Sequence, residues 1–367
     1  MNSTPIEKVE VWAFQVPTDQ PESDGTYEWD STTIVIVEAE AGDQSQKHLG
    51  LGYSYADKAT ATLIESKLKD VVLGRDALSP NGAFVAMTEA MRNLGRPGIC
   101  SMAISAVDTS LWDLKARLLG LPLVRLFGQM REAMPIYGSG GFTSYSNKKL
   151  QEQLGRWVEQ GIPRVKMKIG RDAAADPKRV AAARAAIGDE AQLFVDANGA
   201  YSRKQALELA YAFSELDVSW FEEPVSSDDL AGLRLMRDEG PPGMEIAAGE
   251  YGYDIGYFER MLATGAVDVL QADATRCGGY TGFFQAATLC EAHHLPLSAH
   301  CAPALHLHAG CAAGPFRHAE YFHDHVRIEH MLFDGIPQPH DGTLRPDLSR
   351  PGNGLELKRK EAQKFAI

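Results

Sequence analysis

From about residue 134 onwards one pattern repeats: a short apolar strand, a turn, a helix with a mixed face, then another strand. The strand stretches are MPIYGS, RVKMKI, QLFVDA, VSWFEE, EIAAGE, VDVLQAD, LPLSAH and AEYFH. Helical stretches such as LQEQLGRWVEQG, DPKRVAAARAAIG and SRKQALELAYAFSEL separate them. Eight strands alternating with helices over roughly 190 residues predict a parallel β/α barrel. An open doubly wound sheet is the competing arrangement, but no Gly-rich dinucleotide fingerprint follows any strand.

The residues before the barrel read differently. KVEVWAFQV and TTIVIVEAE alternate or are β-branched, as strands are. Between them VPTDQPESDGTYEWD reads as a long polar loop with two prolines, and loops of this length are commonly functional. Helical spacing follows over 59–72, 80–92 and 101–120, the last ending at Gly120. After the barrel, the Pro/Gly-rich tail from 326 is expected to return to the N-terminal region. The expected organisation is therefore an α+β cap over 1–130, a barrel over 131–325 and a returning segment over 326–367.

Composition excludes some functions. The 367 residues, 44% of them hydrophobic, suffice for one large and one smaller domain. A net charge of −13 argues against nucleic acid or an anionic membrane surface as partner. No apolar run is long enough to span a bilayer, and no basic start followed by an apolar core marks a signal peptide. The five cysteines are scattered and form no CxxC pair. They predict small buried residues in a reducing, cytoplasmic compartment.

What stands at the strand ends carries the chemistry. Lys166 and Lys168 alternate with Val165, Met167 and Ile169, so both lysines share one face of their strand. Asp196 ends the third barrel strand, Glu222 the fourth, Glu250 the fifth, Asp273 the sixth and His300 the seventh; Glu320 lies on the eighth. Glu223 follows Glu222 directly, so on a regular strand it faces away. A barrel mouth lined with five acids and three bases is costly unless they compensate one another. Asp196, Glu222 and Glu250 come from adjacent strands, and three converging carboxylates suit a hard cation such as Mg²⁺. Two ammonium groups beside that cation call for an anion between them, and a substrate carboxylate is one.

In order and at barrel spacing, VKMKIG, FVDANG, WFEEP, GE at 249–250, DATRCGG, SAH at 298–300 and HAEYF resemble the motifs of the enolase superfamily, mandelate racemase subgroup. The helix LWDLKARLLGLPLVRLFG looks like the family's too, and the resemblance covers nearly the whole chain. It implies a modified (β/α)₇β barrel with a capping domain built from both chain ends. It implies Asp196, Glu222 and Glu250 as Mg²⁺ ligands, Lys168 as base on one substrate face, and His300, oriented by Asp273, as acid/base on the other. Lys166 would lower the pKa of Lys168 and help hold the substrate carboxylate. Glu320 would hydrogen-bond that carboxylate, and Ser139 matches a weaker family position.

A proton beside a carboxylate is weakly acidic, because its removal leaves an enediolate dianion; cationic groups on the developing charge make that species accessible. Two outcomes are open. If His300 protonates a β-hydroxyl, water departs and a 2-keto-3-deoxy acid results; if it reprotonates Cα, the product is an epimer. The resemblance places acid-sugar dehydration first, by way of a metal-stabilised enediolate. Racemisation or epimerisation of a 2-hydroxy acid comes second and isomerisation of a sugar-acid lactone third. Non-enzymatic use of the fold would follow from loss of a ligand or base, and none is lost.

Specificity is expected from the cap, through residues 20–30 and GLGYSYADK (50–58), with Glu28, Trp29, Tyr53 and Tyr55 the side chains in reach of hydroxyl groups. Ser139, Tyr53, Glu28 and Asn198 are the substrate-binding candidates. The acidic polar loop favours a monoacid sugar over a diacid or an aromatic acid. His306 and His308 in HLH, and His323 and His325 in HDH, invite a second metal, but their positions fit packing and none is assigned. A homo-oligomer is the family's habit and is expected here.

Overall fold

The computed structural model describes residues 3–42 and 46–367. Three antiparallel strands open the chain: β1 (Ile6–Ser23), β2 (Glu28–Gly42) and β3 (Lys47–Tyr55), in the order β1-β2-β3. The stretch expected as a long loop is mostly paired strand. Phe14 faces Ile34 and Pro17 faces Ser31; the register then shifts, and Glu22 pairs with Trp29 and Ser23 with Glu28. The reason is position: β1 is an edge strand, where a proline removes no required ladder bond. Only residues 24–27 form the tip. There the Asp24 carboxylate accepts the backbone N–H groups of Thr26 and Tyr27 at 2.6 and 2.7 Å, an Asx turn.

The helix Ile99–Leu118 lies across this sheet and packs on β3 through small residues. A Cβ at Gly52 would stand 2.4 Å from the Ala106 carbonyl oxygen, so the close approach of strand and helix needs glycine there.

Eight parallel strands then close on themselves. They are β4 (Met134–Gly140), β5 (Arg164–Lys168), β6 (Gln192–Asp196), β7 (Val218–Glu222), β8 (Glu245–Ala248), β9 (Val269–Ala272), β10 (Leu297–Ala299) and β11 (Phe316–Phe322), with β11 pairing back onto β4. Seven helices of the described residues join them, which makes a (β/α)₇β barrel. Inward and outward residues alternate. Val165, Met167, Leu193, Val195 and Phe221 face out into the main core beneath the helices. Tyr137, Phe194, Trp220, Ala247 and Val269 form a separate apolar plug within the barrel. Two residues further along their strands stand Ser139, Asp196 and Glu222, so the ionic layer rests on an aromatic floor.

The tail crosses the barrel and makes hydrogen bonds to the cap. Thr343–Leu344, one of three two-residue strands in the tail, pairs antiparallel with the start of β4. Asn353 N–H donates to Asp113 at 2.5 Å, Arg117 binds the Leu355 carbonyl and Glu356, and Ile367 N–H reaches the Ala13 carbonyl. Among the described residues no helix is long and apolar enough to cross a membrane.

Candidate active site

Lys166 is wholly buried. Its Nζ donates to Glu222 Oε1 at 2.6 Å and lies 2.8 Å from Glu320 Oε1 and 3.4 Å from Asp196 Oδ2. Burial alone would lower its pKa, but Glu222 and Glu320 outweigh that and hold it well above the usual lysine value. Lys168 Nζ donates to Asp196 Oδ2 at 2.5 Å. The influence of Lys166 has the sign expected from sequence, but it does not decide the net direction. Burial, the largest single influence, and Lys166 do push Lys168 down, but Asp196, Glu250 and Glu320 together outweigh them, and the net direction is up.

Asp196, Glu222 and Glu250 each bring a carboxylate oxygen to within 4.8 Å of the others, and all three residues are buried. Burial and the neighbouring Asp196 raise Glu222 to about 8. The Oε2 of Glu250 is buried and makes no hydrogen bond. Three crowded oxygen donors, one of them unsatisfied, fit a hard divalent cation and no softer ligand chemistry. Glu223 does not face away as a regular strand would have it. The strand stops at Glu222, and Glu223 turns into left-handed backbone at φ 38°. It stays buried beside the triad with Oε1 unpartnered; burial and then Glu250 raise its pKa well above normal.

Across the mouth, His300 Nδ1 meets Asp273 Oδ2 at 2.8 Å, and Asp273 Oδ1 accepts the Thr275 N–H at 2.7 Å. Asp273 is therefore held as the anion, well below the usual carboxylate range: burial opposes this most, and the His300 hydrogen bond together with the charges of His300, Arg276 and His306 outweighs it. Burial would lower His300, but Glu250 and Asp273 raise it. Nδ1 is committed to Asp273, which leaves Nε2 as the face turned to a ligand. Ser139 Oγ donates to Glu320 Oε1 at 2.6 Å, so Ser139 orients Glu320 from inside the wall.

A cavity of about 260 Å³ opens on these groups, lined by Lys168, Asn198, Glu250, Arg276, His300, Cys301, Phe322 and His325, with Asp24, Thr26 and Tyr27 from the hairpin tip and Trp29 from the start of β2. The tip is pressed on the barrel: a Cβ at Gly25 would lie 2.4 Å from the Ala197 carbonyl oxygen and 2.7 Å from that of Ile169.

Comparison with known proteins agrees with this geometry. Residues 8–128 match the mandelate racemase/muconate lactonizing enzyme N-terminal domain, and residues 149–362 match the enolase C-terminal domain-like family. The chain belongs to the enolase superfamily, in its mandelate racemase group. A mandelate racemase/muconate lactonizing enzyme-like protein from Rubrobacter xylanophilus superposes with a TM-score of 0.95 at 56% identity, covering 99% of this chain and 100% of that one. A 3,6-anhydro-α-L-galactonate cycloisomerase from Streptomyces coelicolor is 32% identical over 99% of both chains. The L-talarate/galactarate dehydratase of Salmonella typhimurium is 32% identical over 85% of this chain and 77% of its own. Its structure, liganded with Mg and L-lyxarohydroxamate, superposes with a TM-score of 0.90 at 28% identity, covering 100% of this chain and 94% of that one.

Within this superfamily framework, some expected binding residues stand elsewhere. Glu28 is exposed and pairs with Arg171 at 2.7 Å, away from the cavity. Tyr53 is fully buried; its hydroxyl donates to Glu329 Oε1 at 2.6 Å and its ring stacks on Phe333, so it joins the cap to the tail. Tyr55 stacks on His325 rather than facing the cavity. Asn198 does line it, at φ 47° with its side-chain oxygen unpartnered. His306 and His308 are buried and bonded to backbone groups, as packing required. His323 bonds Asp19 on the rim, whereas His325 lines the cavity. Arg276 and Tyr251 were not assigned from sequence, yet both line the cavity, Arg276 within 3.3 Å of Glu250. The proximity of Arg276 to Asp273 in DATRCGG was the available signal.

Proposed function

We propose that the protein is a Mg²⁺-dependent acid-sugar dehydratase. One observation carries the reading: Lys168 on β5 and the Asp273-held His300 beyond β10 flank a single cavity, with Asp196, Glu222 and Glu250 on the strands between. Asp196, Glu222 and Glu250 would hold the Mg²⁺, in keeping with the metal bound in the Salmonella relative. When bound there, Mg²⁺ would supply Lewis-acid stabilisation of charge on the substrate carboxylate.

Every other role belongs to side chains of this chain. Lys166, held as the ammonium, faces the developing enediolate as a fixed positive charge. Lys168 takes the α-proton. Asp196 is shared between Lys168 and the triad, so Lys168 gains its free-base form where Asp196 is engaged as a ligand. His300 delivers the Nε2 proton to the β-hydroxyl, which leaves as water, and the enol tautomerises to the 2-keto-3-deoxy acid. Asp273 supports the imidazolium before that transfer.

The cavity lining favours a monoacid sugar. Its two basic side chains besides histidine are Lys168 and Arg276, and both already face carboxylates. The hairpin contributes Asp24, Tyr27 and Trp29, which suit hydroxyl groups better than a second carboxylate. The cycloisomerase relative, similar over its full length, supports a second reading in which the same base pair moves a proton without loss of water. Proton NMR in D₂O with Mg²⁺, run against mono- and diacid sugars and their lactones, tests both. Formation of a 2-keto-3-deoxy acid from an open-chain acid sugar, with loss of water, establishes dehydration. Solvent exchange at Cα with isomer and no water loss moves the protein to the second reading.

A further inference from the structure

Immediately after His300 the backbone does something costly. Cys301 and Ala302 both adopt left-handed conformations, at φ 51° and 40°, which L side chains seldom take singly and more rarely in succession. The hook turns Cys301 back on the barrel. Its N–H donates to Glu320 Oε2 at 3.0 Å, and its Sγ lies 3.3 Å from that oxygen and 3.2 Å from His300 Nε2. The third edge, His300 Nε2 to Glu320 Oε2, is 3.7 Å. All three residues are buried, and His300 and Cys301 line the cavity.

We infer that His300 Nε2, Cys301 Sγ and Glu320 Oε2 form a second metal site, distinct from the carboxylate triad and selective for a thiophilic, tetrahedral divalent cation of the Zn²⁺ class. The triangle has the right size. Zinc bonds of about 2.3 Å to sulfur and about 2.0 Å to nitrogen and oxygen place tetrahedral ligands roughly 3.3–3.6 Å apart. The observed edges lie within a few tenths of an ångström of it, the two sulfur edges short and the nitrogen–oxygen edge long, so small side-chain shifts complete the fit. The donor set also discriminates, because one nitrogen and one sulfur suit zinc and its analogues and repel Mg²⁺, whose preference is for oxygen. The fourth position opens on the cavity, so water or a substrate hydroxyl can complete it. Binding converts the Cys301 thiol to the thiolate and needs His300 Nε2 unprotonated, so one proton is released to solvent from the neutral imidazole and two from the imidazolium.

The consequence is inhibition. A cation on Nε2 takes the lone pair that His300 needs for proton transfer. Glu250 Oε2 lies only 3.4 Å from Nε2, so the two metal sites adjoin and substrate cannot avoid the second. This consequence rests on the acid/base role proposed for His300; the binding itself does not.

The test is an optical titration of Co²⁺ into the chelator-stripped protein with Mg²⁺ in excess, which needs no substrate. The expected result is a thiolate-to-cobalt charge-transfer band saturating at one equivalent, retained in Glu250→Gln and absent in Cys301→Ser. No band in the wild type, or a band unchanged in Cys301→Ser, overturns the site. Circular dichroism checks folding, and Cys301→Ala serves if the serine variant fails. In turnover assays under excess Mg²⁺, the Zn²⁺ concentration giving half inhibition should rise roughly tenfold or more in Cys301→Ser, referred to that variant's own uninhibited rate. Equal Zn²⁺ sensitivity in the two proteins would place the effect at the triad and overturn the proposal.

Discussion

Lys166 and Glu222 form a 2.6 Å ion pair from which water is wholly excluded, above a floor made of Tyr137, Phe194 and Trp220. The same carboxylate accepts the Trp220 indole N–H through its other oxygen at 3.0 Å. Buried charges are tolerated only when paired, and this ammonium is the counter-charge for three carboxylates. Lys166→Met should therefore lower the free energy of unfolding by about 3–5 kcal/mol, read by urea denaturation. Unchanged stability would mean that the carboxylates are neutral and the pair is not ionic.

Lys168 and His300 should fail in different ways. Lys168→Ala should abolish both turnover and exchange of the substrate α-proton in D₂O. His300→Asn should reduce dehydration by about 10²–10⁴-fold yet leave α-proton exchange measurable, because the base on the other face is intact. Full turnover in either variant would sink the two-sided assignment.

Metal binding at the triad should be visible without turnover. Mg²⁺ at a hundredfold excess over its dissociation constant should stabilise the protein by about 2.7 kcal/mol, seen as a raised Tm. Glu250→Gln should lose most of that increment. EDTA should remove activity and Mg²⁺ restore it; activity indifferent to chelation would contradict the ligand assignment.

A pH effect separate from the site should come from His308. Its Nδ1 accepts the Val124 N–H at 3.0 Å, and Nε2 meets the Asn353 carbonyl at 3.1 Å, which together require the neutral ring. Burial lowers its pKa to about 4 from the ordinary 6.5. A depressed folded-state value means the unfolded chain binds the extra proton first. The stability due to the neutral ring is therefore complete above pH 6.5, declines as pH falls towards 4, and levels off below. The loss should amount to about 3 kcal/mol over that window. Urea melts from pH 7 to pH 4 should show a slope shallower by one proton in His308→Gln than in the wild type.

Asp196 and Glu222, two of the three metal-triad candidates, were legible because of a period of two; Glu250, past the end of its strand, was legible only as an acid following a strand. Phe194 precedes Asp196 by two residues and Trp220 precedes Glu222 by two, so an inward aromatic layer and an inward acidic layer can be read along each strand. Two other features had no such signal. Tyr53 looked like a polar group on a specificity segment, but its direction depends on β3 pairing with β2 and on the tail bringing Glu329 back, contacts far apart in sequence. Glu223 was placed by strand alternation, and the strand ends one residue before the rule applies. The hairpin went unread because a polar, proline-containing edge strand has the composition of a loop.

That hairpin gives the sharpest test of where specificity lies. Gly25 is seated on the carbonyl oxygens of Ile169 and Ala197, which follow β5 and β6 and so flank Lys168 and Asp196. With 2.4 and 2.7 Å available, a Cβ there cannot be absorbed by a side-chain shift, since both neighbours are backbone. Gly25→Ala must lift the tip and, with it, Tyr27 and Trp29 from the cavity wall. The barrel core is untouched, so the loss of stability should be confined to the hairpin's own contacts with the barrel, Trp29 on Phe142 and the Asp24 carbonyl on the Thr143 hydroxyl. A displacement of about 1 Å in groups that position substrate can cost about 10²-fold in kcat/KM. The expected signature is a fall of that order in kcat/KM, with Mg²⁺ affinity preserved and at most a small drop in Tm. Wild-type kcat/KM in Gly25→Ala would mean that the tip covers the site without selecting what enters it.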